Sequence, residues 1–132
     1  MANHVLGELE VKIGERTFVL RPTFEGLAET ETRASCSLAG LVNKIVKGEQ
    51  GIRDVVAIVY GGIIGAAEKN APVPSFDELG QLILGHGYVK LSGACGKFVG
   101  AAYSGRPIEE IAEPKSAKKK MVQEPDESEP KS

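Results

Sequence analysis

The sequence predicts an α+β protein that is mostly helical: an N-terminal β-hairpin packed on a bundle of four or five short helices, then a disordered C-terminal tail. Three observations support this. Apolar and polar residues alternate on both sides of a short break within residues 9–20. Apolar residues then recur at helical spacing to about residue 103, and the composition changes near Gly105. We therefore expect a hairpin and helical domain over residues 1–104 and a charged disordered tail over residues 105–132.

The alternation places the apolar residues of the hairpin on one face. The break lies at Gly14-Glu15, and the face is made of Leu9, Val11, Ile13, Phe18 and Leu20. A short glycine-containing break between two alternating runs is typical of a tight turn that joins antiparallel strands. Arg21-Pro22 ends the second strand, because proline has no amide hydrogen to donate to a neighbouring strand.

The first two helical patterns have clear ends. Thr23 can cap a helix that runs from Phe24 to about Ala34, and its apolar side starts at Phe24. The second pattern covers about Ser37–Lys47, and Gly48 suits the position just past its end. The apolar stripe of this second helix is Leu38, Leu41, Val42, Ile45 and Val46.

The third helical pattern is the strongest and covers about Ile52–Lys69. Its stripe is Ile52, Val55, Val56, Val59, Tyr60, Ile63 and Ile64. Its many β-branched residues lower helix propensity, so a strand over Val55–Tyr60 is the alternative, but the length of the stripe favours a helix. The glycines of Gly61–Gly65 lie within the stripe, which favours a close helix crossing over a phosphate-binding loop.

Two further patterns complete the helical part. Ser75 and Glu78 match a capping box at the start of the fourth helix, in which each side chain bonds the backbone amide of the other residue. The stripe of this helix continues through Leu79, Leu82 and Ile83. Gly85-His86-Gly87 interrupts it, and a fifth pattern follows over Tyr88–Tyr103.

Short motifs of the hairpin and first helix occur in the same order in a known family. They are Gly14, Phe18, Leu20-Arg21-Pro22, Phe24 and Leu27-Ala28-Glu29-Thr30-Glu31, and Ile52–Gly62 fits the middle of the family. Over about its first hundred residues the chain thus resembles the phage tail assembly chaperone family of gene transfer agents, the phage-like particles of alphaproteobacteria. Proteins of this family are also labelled tail tube proteins.

The resemblance implies a chaperone that binds the tape measure protein and recruits tail tube subunits during tail assembly. It implies action in the host cytoplasm and release before the particle is mature, and it leaves homo-oligomer formation open. One alternative is a structural tail tube protein, although such a subunit normally needs a larger sheet than one hairpin. The other alternative is a generic helical protein-interaction module.

Composition argues against several other classes. A net charge of −2 and the lack of tryptophan argue against a nucleic-acid binder, which needs a basic field or stacking platforms. No apolar run is long enough to span a bilayer, and the first residues lack the apolar core of a secretory signal. We therefore expect a cytoplasmic protein that binds neither nucleic acid nor membrane.

We expect no catalytic, cofactor or metal site. Cys36 and Cys95 are far apart, and a disulfide between them is disfavoured in an intracellular protein. Neither His4 nor His86 stands at ligand spacing from a cysteine. Gly96-Lys97 lacks the first glycine and the hydroxyl residue of a phosphate loop, since Phe98 follows it.

The residues after Gly105 are rich in proline, glutamate, lysine and serine, and such a segment buries too little apolar surface to fold. The candidate partner-binding residues lie there: Lys118, Lys119, Lys120 and Met121. Charged tails often recruit partners, and the alternative is a solvated end without a function.

Overall fold

The computed structural model describes residues 7–111, and it confirms the predicted β-hairpin packed on a bundle of helices. Residues 112–132 of the predicted disordered tail lie outside the described residues. Two strands form the hairpin, β1 (Leu9–Ile13) and β2 (Arg16–Leu20). The helices are α1 (Phe24–Ala34), α2 (Leu38–Lys47), α3 (Ile52–Ala66), α4 (Phe76–His86) and α5 (Ser92–Ser104). Short 3₁₀ helices cover Tyr88–Leu91 and Ile108–Glu110.

The hairpin has the predicted turn and register. β1 and β2 are antiparallel, and Ile13 lies opposite Arg16 across the two-residue turn. Gly14, the first turn residue, has a φ of +62°, a conformation that favours glycine. Glu15, the second turn residue, has a negative φ and therefore does not need to be glycine. The Gly14 amide donates a hydrogen bond of 3.1 Å to Nδ1 of His86, which ties the turn to the end of α4.

Helix α3 lies at the centre of the fold, against α1, β2, α4 and α5. Val55, Ala57, Ile58 and Val59 are fully buried. A helix with apolar residues on every side must be covered by other elements on every side. This explains why nearly all residues of α3 from Val55 to Ile63 are buried. The alternative strand over Val55–Tyr60 is therefore wrong, because those residues lie within α3.

The glycines of α3 allow two close approaches. A Cβ atom at Gly61 would meet the hydroxyl of Thr30 and the carbonyl of Gly26 on α1, so the predicted close helix crossing is confirmed. One residue on, the carbonyl of Gly62 accepts a 3.0 Å hydrogen bond from the amide of Arg21, the residue after β2. These contacts fix both the hairpin and α1 on the central helix.

The predicted helix ends are largely confirmed. The Thr23 hydroxyl accepts a 3.0 Å hydrogen bond from the Gly26 amide at the start of α1. At the start of α4, the Glu78 amide donates to the Ser75 hydroxyl at 3.0 Å and the Ser75 amide donates to the Glu78 carboxylate at 2.9 Å. Gly48 ends α2 in the left-handed conformation with a φ of 73°.

Two details differ from the sequence predictions. Phe24 is 90% exposed, because α1 packs through its small residues Gly26, Thr30 and Ala34 instead. The fifth pattern is divided into a 3₁₀ helix and α5. The domain boundary after Ser104 stays a prediction, and beyond it Ile108 is only 2% exposed and contacts the core.

Candidate interaction surfaces

Two arginines and two aromatic rings form a cluster where α1, α3 and α4 meet. The rings of Tyr60 and Phe76 pack edge to face, with their centroids 5.5 Å apart. The guanidinium carbon of Arg33 lies 5.1 Å from the centroid of Tyr60 and 4.9 Å from that of Phe76. Arg53 approaches Phe76 at 5.6 Å. Stacking of cations on aromatic faces thus holds the start of α4 against the other two helices.

The charge of Arg33 is also balanced along its own helix. Its Nε donates a 2.8 Å hydrogen bond to the carboxylate of Glu29, one turn earlier on α1. This hydrogen bond raises the pKa of Arg33, which keeps the guanidinium charged. Arg53 forms no salt bridge with any residue of the described range, so its charge remains available at the surface.

Beside this cluster, a groove of about 240 Å³ runs between α3 and α4. Its lining residues are Ile52, Arg53, Val56, Phe76, Asp77, Gly80, Gln81 and Leu84. Leu84 is 58% exposed, and a Cβ atom at Gly80 would have no neighbour within 4 Å, so this side of α4 is open. We call this surface the α3–α4 groove. Its apolar wall suits a helix that carries an apolar stripe, and its charged lining residues are one arginine and one aspartate.

A second groove, of about 580 Å³, lies between the base of the hairpin and the end of α5. Its lining includes Pro22, Leu27 and Ala102, together with the turn Gly105–Glu109. The first described residue, Gly7, also borders it. This groove therefore lies where both ends of the described range come together.

The sequence prediction did not find the α3–α4 groove, although one signal pointed to it. Leu84 lies outside the buried stripe of α4 that Leu79 and Ile83 define. An apolar residue off the buried stripe of a helix is a candidate contact for a partner. The predicted partner-binding residues Lys118, Lys119, Lys120 and Met121 lie outside the described residues, and their role stays a prediction.

The chemistry of residues 7–111 offers little else. Cys36 and Cys95 are both free thiols, and burial raises the pKa of Cys95 to about 12. Within that range no three His, Cys, Asp or Glu side chains are grouped to hold a metal ion. No helix of the described range is both long and apolar enough to cross a bilayer.

Comparison with known proteins identifies a family. A family model with the description "Phage tail tube protein, GTA-gp10" matches residues 6–73, just over half of the chain. The matched span contains the hairpin and α1 to α3, including the central helix α3. No curated protein and no solved structure gives a significant match. The description names a structural tail protein and not an enzyme, and it favours the tail tube alternative over the predicted chaperone.

Proposed function

This chain belongs to the phage tail tube protein family described as GTA-gp10, and from that membership we propose that it acts as a tail tube protein of a phage-like particle. The family match carries the proposal, because it covers the hairpin together with α3, the helix to which the end of β2 is bonded. Its partners would then be other tail proteins, including further copies of itself.

The arrangement of the hairpin supports such a role. β2 is anchored on α3 by the hydrogen bond between Arg21 and Gly62, and the turn is anchored on α4 through His86. The apolar face of the sheet packs on the core, so the opposite face and an edge remain at the surface. Since the described sheet has only two strands, a continuous wall requires strands from neighbouring subunits.

A second candidate function is the tail assembly chaperone that the sequence resemblance implies, and the α3–α4 groove favours it. A tape measure protein is a long helical chain with apolar stripes. Ile52, Phe76 and Leu84 could contact one such stripe while Arg53 pairs with an acidic side chain beside it. The chaperone would bind the tape measure protein in this way and recruit tail tube subunits to it.

The content of purified particles separates the two candidates. A tube protein remains in the particle in many copies, whereas a chaperone is absent from the particle although tails fail to form without it. Quantitative mass spectrometry of particles from cells with and without the gene measures both properties. Normal tails in the absence of the gene would contradict both candidates.

Paired variants test the groove separately. Leu84→Asp places a charge in the α3–α4 groove, and Val46→Asp places the same charge at a similarly exposed apolar residue of α2, where Val46 is 55% exposed. A chaperone that uses the groove loses co-purification of the tape measure protein with Leu84→Asp and keeps it with Val46→Asp. Equal binding by both variants would exclude the groove as the contact surface.

A further inference from the structure

The outer edge of β1 presents backbone groups that have no hydrogen-bond partner among residues 7–111. Because the turn has two residues, Ile13 and Arg16 exchange hydrogen bonds, and so do the pairs Val11–Phe18 and Leu9–Leu20. Hydrogen-bonded and non-hydrogen-bonded pairs alternate along an antiparallel ladder. The amide and carbonyl groups of Glu10 and Lys12 therefore point away from β2.

Each edge of the hairpin is bonded to a helix at one residue beyond its strand. Past the end of β2, the Arg21 amide is bonded to Gly62 of α3, so α3 reaches that edge at this residue. Past the end of β1, the Gly14 amide is bonded to His86. Between these points, Glu10 and Lys12 make no backbone hydrogen bond with any described residue outside the hairpin. The same holds for Thr17 and Val19 on the outer edge of β2, but those two residues carry no charge. An unpaired edge of this kind is a template for another strand.

We propose that the outer edge of β1 pairs with the same edge of a second copy of this chain, in antiparallel orientation and centred on Val11. In this register Glu10 lies opposite Lys12 of the second copy, and Lys12 lies opposite Glu10 of the second copy. Glu10 and Lys12 are also the residues whose backbone groups point outward from the hairpin. Backbone hydrogen bonding and charge pairing therefore favour the same register.

The side chains fit the same arrangement. Glu10 and Lys12 are both exposed, on the face of the sheet that points to solvent. Val11 is buried on the opposite face, and it meets Val11 of the second copy across the two-fold axis. Proteins often protect an edge with lysine, with proline or with an inward-pointing charge. β1 lacks the last two, and in this pairing Lys12 is matched by Glu10 of the second copy. The product is a four-stranded sheet shared by two helical bodies.

Sedimentation equilibrium of the isolated full-length protein over a wide concentration range tests the pairing, independently of any role in a tail. We expect a dimer that Glu10→Lys weakens about tenfold, because like charges then face each other at both pairs. Lys12→Glu has the same effect by the same argument. The double variant with Glu10→Lys and Lys12→Glu restores opposite charges at both pairs and recovers the dimer.

The matched control is Glu15→Lys, which makes the same charge change in the turn, beyond the paired residues, and leaves the dimer intact. Circular dichroism verifies that each variant is folded. A protein that stays monomeric at every concentration would overturn the proposal. A dimer that resists Glu10→Lys, or that the double variant fails to recover, would also overturn it, since either result places the interface elsewhere.

Cross-linking gives a second readout that needs no substitution. A carbodiimide joins carboxylates to nearby amines, and a mixture of isotopically labelled and unlabelled chains separates links between copies from links within one copy. We expect a link from Glu10 of one isotope to Lys12 of the other. Mixed-isotope links at other sites, with none between these two residues, would contradict the register.

Discussion

The hydroxyl of Thr30 on α1 donates a 2.9 Å hydrogen bond to the carbonyl of Ala57 on α3. The same hydroxyl lies 3.2 Å from the carbonyl of Gly26, one turn earlier on its own helix. A threonine can reach across to a neighbouring backbone only when the two helices are very close. Gly26 and Gly61 provide this closeness, because each leaves room for the backbone of the other helix.

Gly61→Ala should therefore destabilise the protein by about 1–3 kcal/mol, because its methyl group would push against Thr30 and Gly26. Gly80→Ala is the matched control on α4, where the added methyl meets no atom within 4 Å. It should stabilise the protein by about 0.5–1 kcal/mol through helix propensity. Urea denaturation measures both changes, and a loss of stability in both variants would contradict the close-contact explanation.

Two phenylalanines of the family motif should respond differently to truncation. Phe18 of β2 is 9% exposed, and Phe18→Ala should lower the free energy of unfolding by about 3–5 kcal/mol. Phe24 is 90% exposed, so Phe24→Ala should change it by less than about 0.5 kcal/mol. Thermal or urea unfolding distinguishes them. An unchanged midpoint for Phe18→Ala would mean that the hairpin does not pack on the helices.

These residues show what the sequence could predict. Turn and cap positions such as Gly14, Ser75 and Glu78 were predictable because their partners lie within a few residues along the chain. The burial of α1 was not predictable from hydrophobicity. Its buried face consists of small residues, which become a contact face only because α3 presents glycines opposite them.

The candidate interaction surfaces were even harder to predict from the sequence, because tertiary contacts form them. The cluster of Arg33, Tyr60 and Phe76 brings together three helices that are separate in sequence. These residues are not related by any fixed spacing in the sequence. Sequence analysis can therefore identify each residue but cannot predict that they form a cluster. The outer edge of β1 is intermediate, since alternation predicts the strand but only the structure shows where α3 and α4 are bonded to the hairpin.

The end of the folded part can be located by two truncations. A chain that ends at Ser104 loses Ile108, which is 2% exposed, and should be less stable by about 1.5–3 kcal/mol. A chain that ends at Ile111 keeps this contact and should retain the melting midpoint of the full-length protein. Equal midpoints for both truncated chains would show that Ile108 adds nothing, and the domain would then end at Ser104 as the composition predicts.

The same truncation addresses the predicted partner-binding residues. A chain that ends at Ile111 lacks Lys118, Lys119, Lys120 and Met121. If the protein acts as the chaperone, this chain should bind the tail tube protein more weakly in a pull-down assay. A chain that ends at Gln123 keeps all four residues and serves as the control. If both truncated chains bind as the full-length protein does, these residues take no part in recruitment.

Cys95 gives the protein a specific dependence on alkaline pH. Burial raises the pKa of its thiol from 9.0 to about 12, so between these values the unfolded chain loses a proton that the folded chain keeps. The free energy of unfolding should therefore fall as pH rises above 9.0, and the thiol's contribution should be lost by about 12. The informative quantity is the difference between the protein and its Cys95→Ala variant, because that difference isolates the contribution of the thiol. We expect the variant to be less stable at neutral pH, because it leaves a cavity, and to lose less stability on the alkaline side. Parallel slopes in urea denaturation series at several pH values would show that the thiol is not protected by the fold.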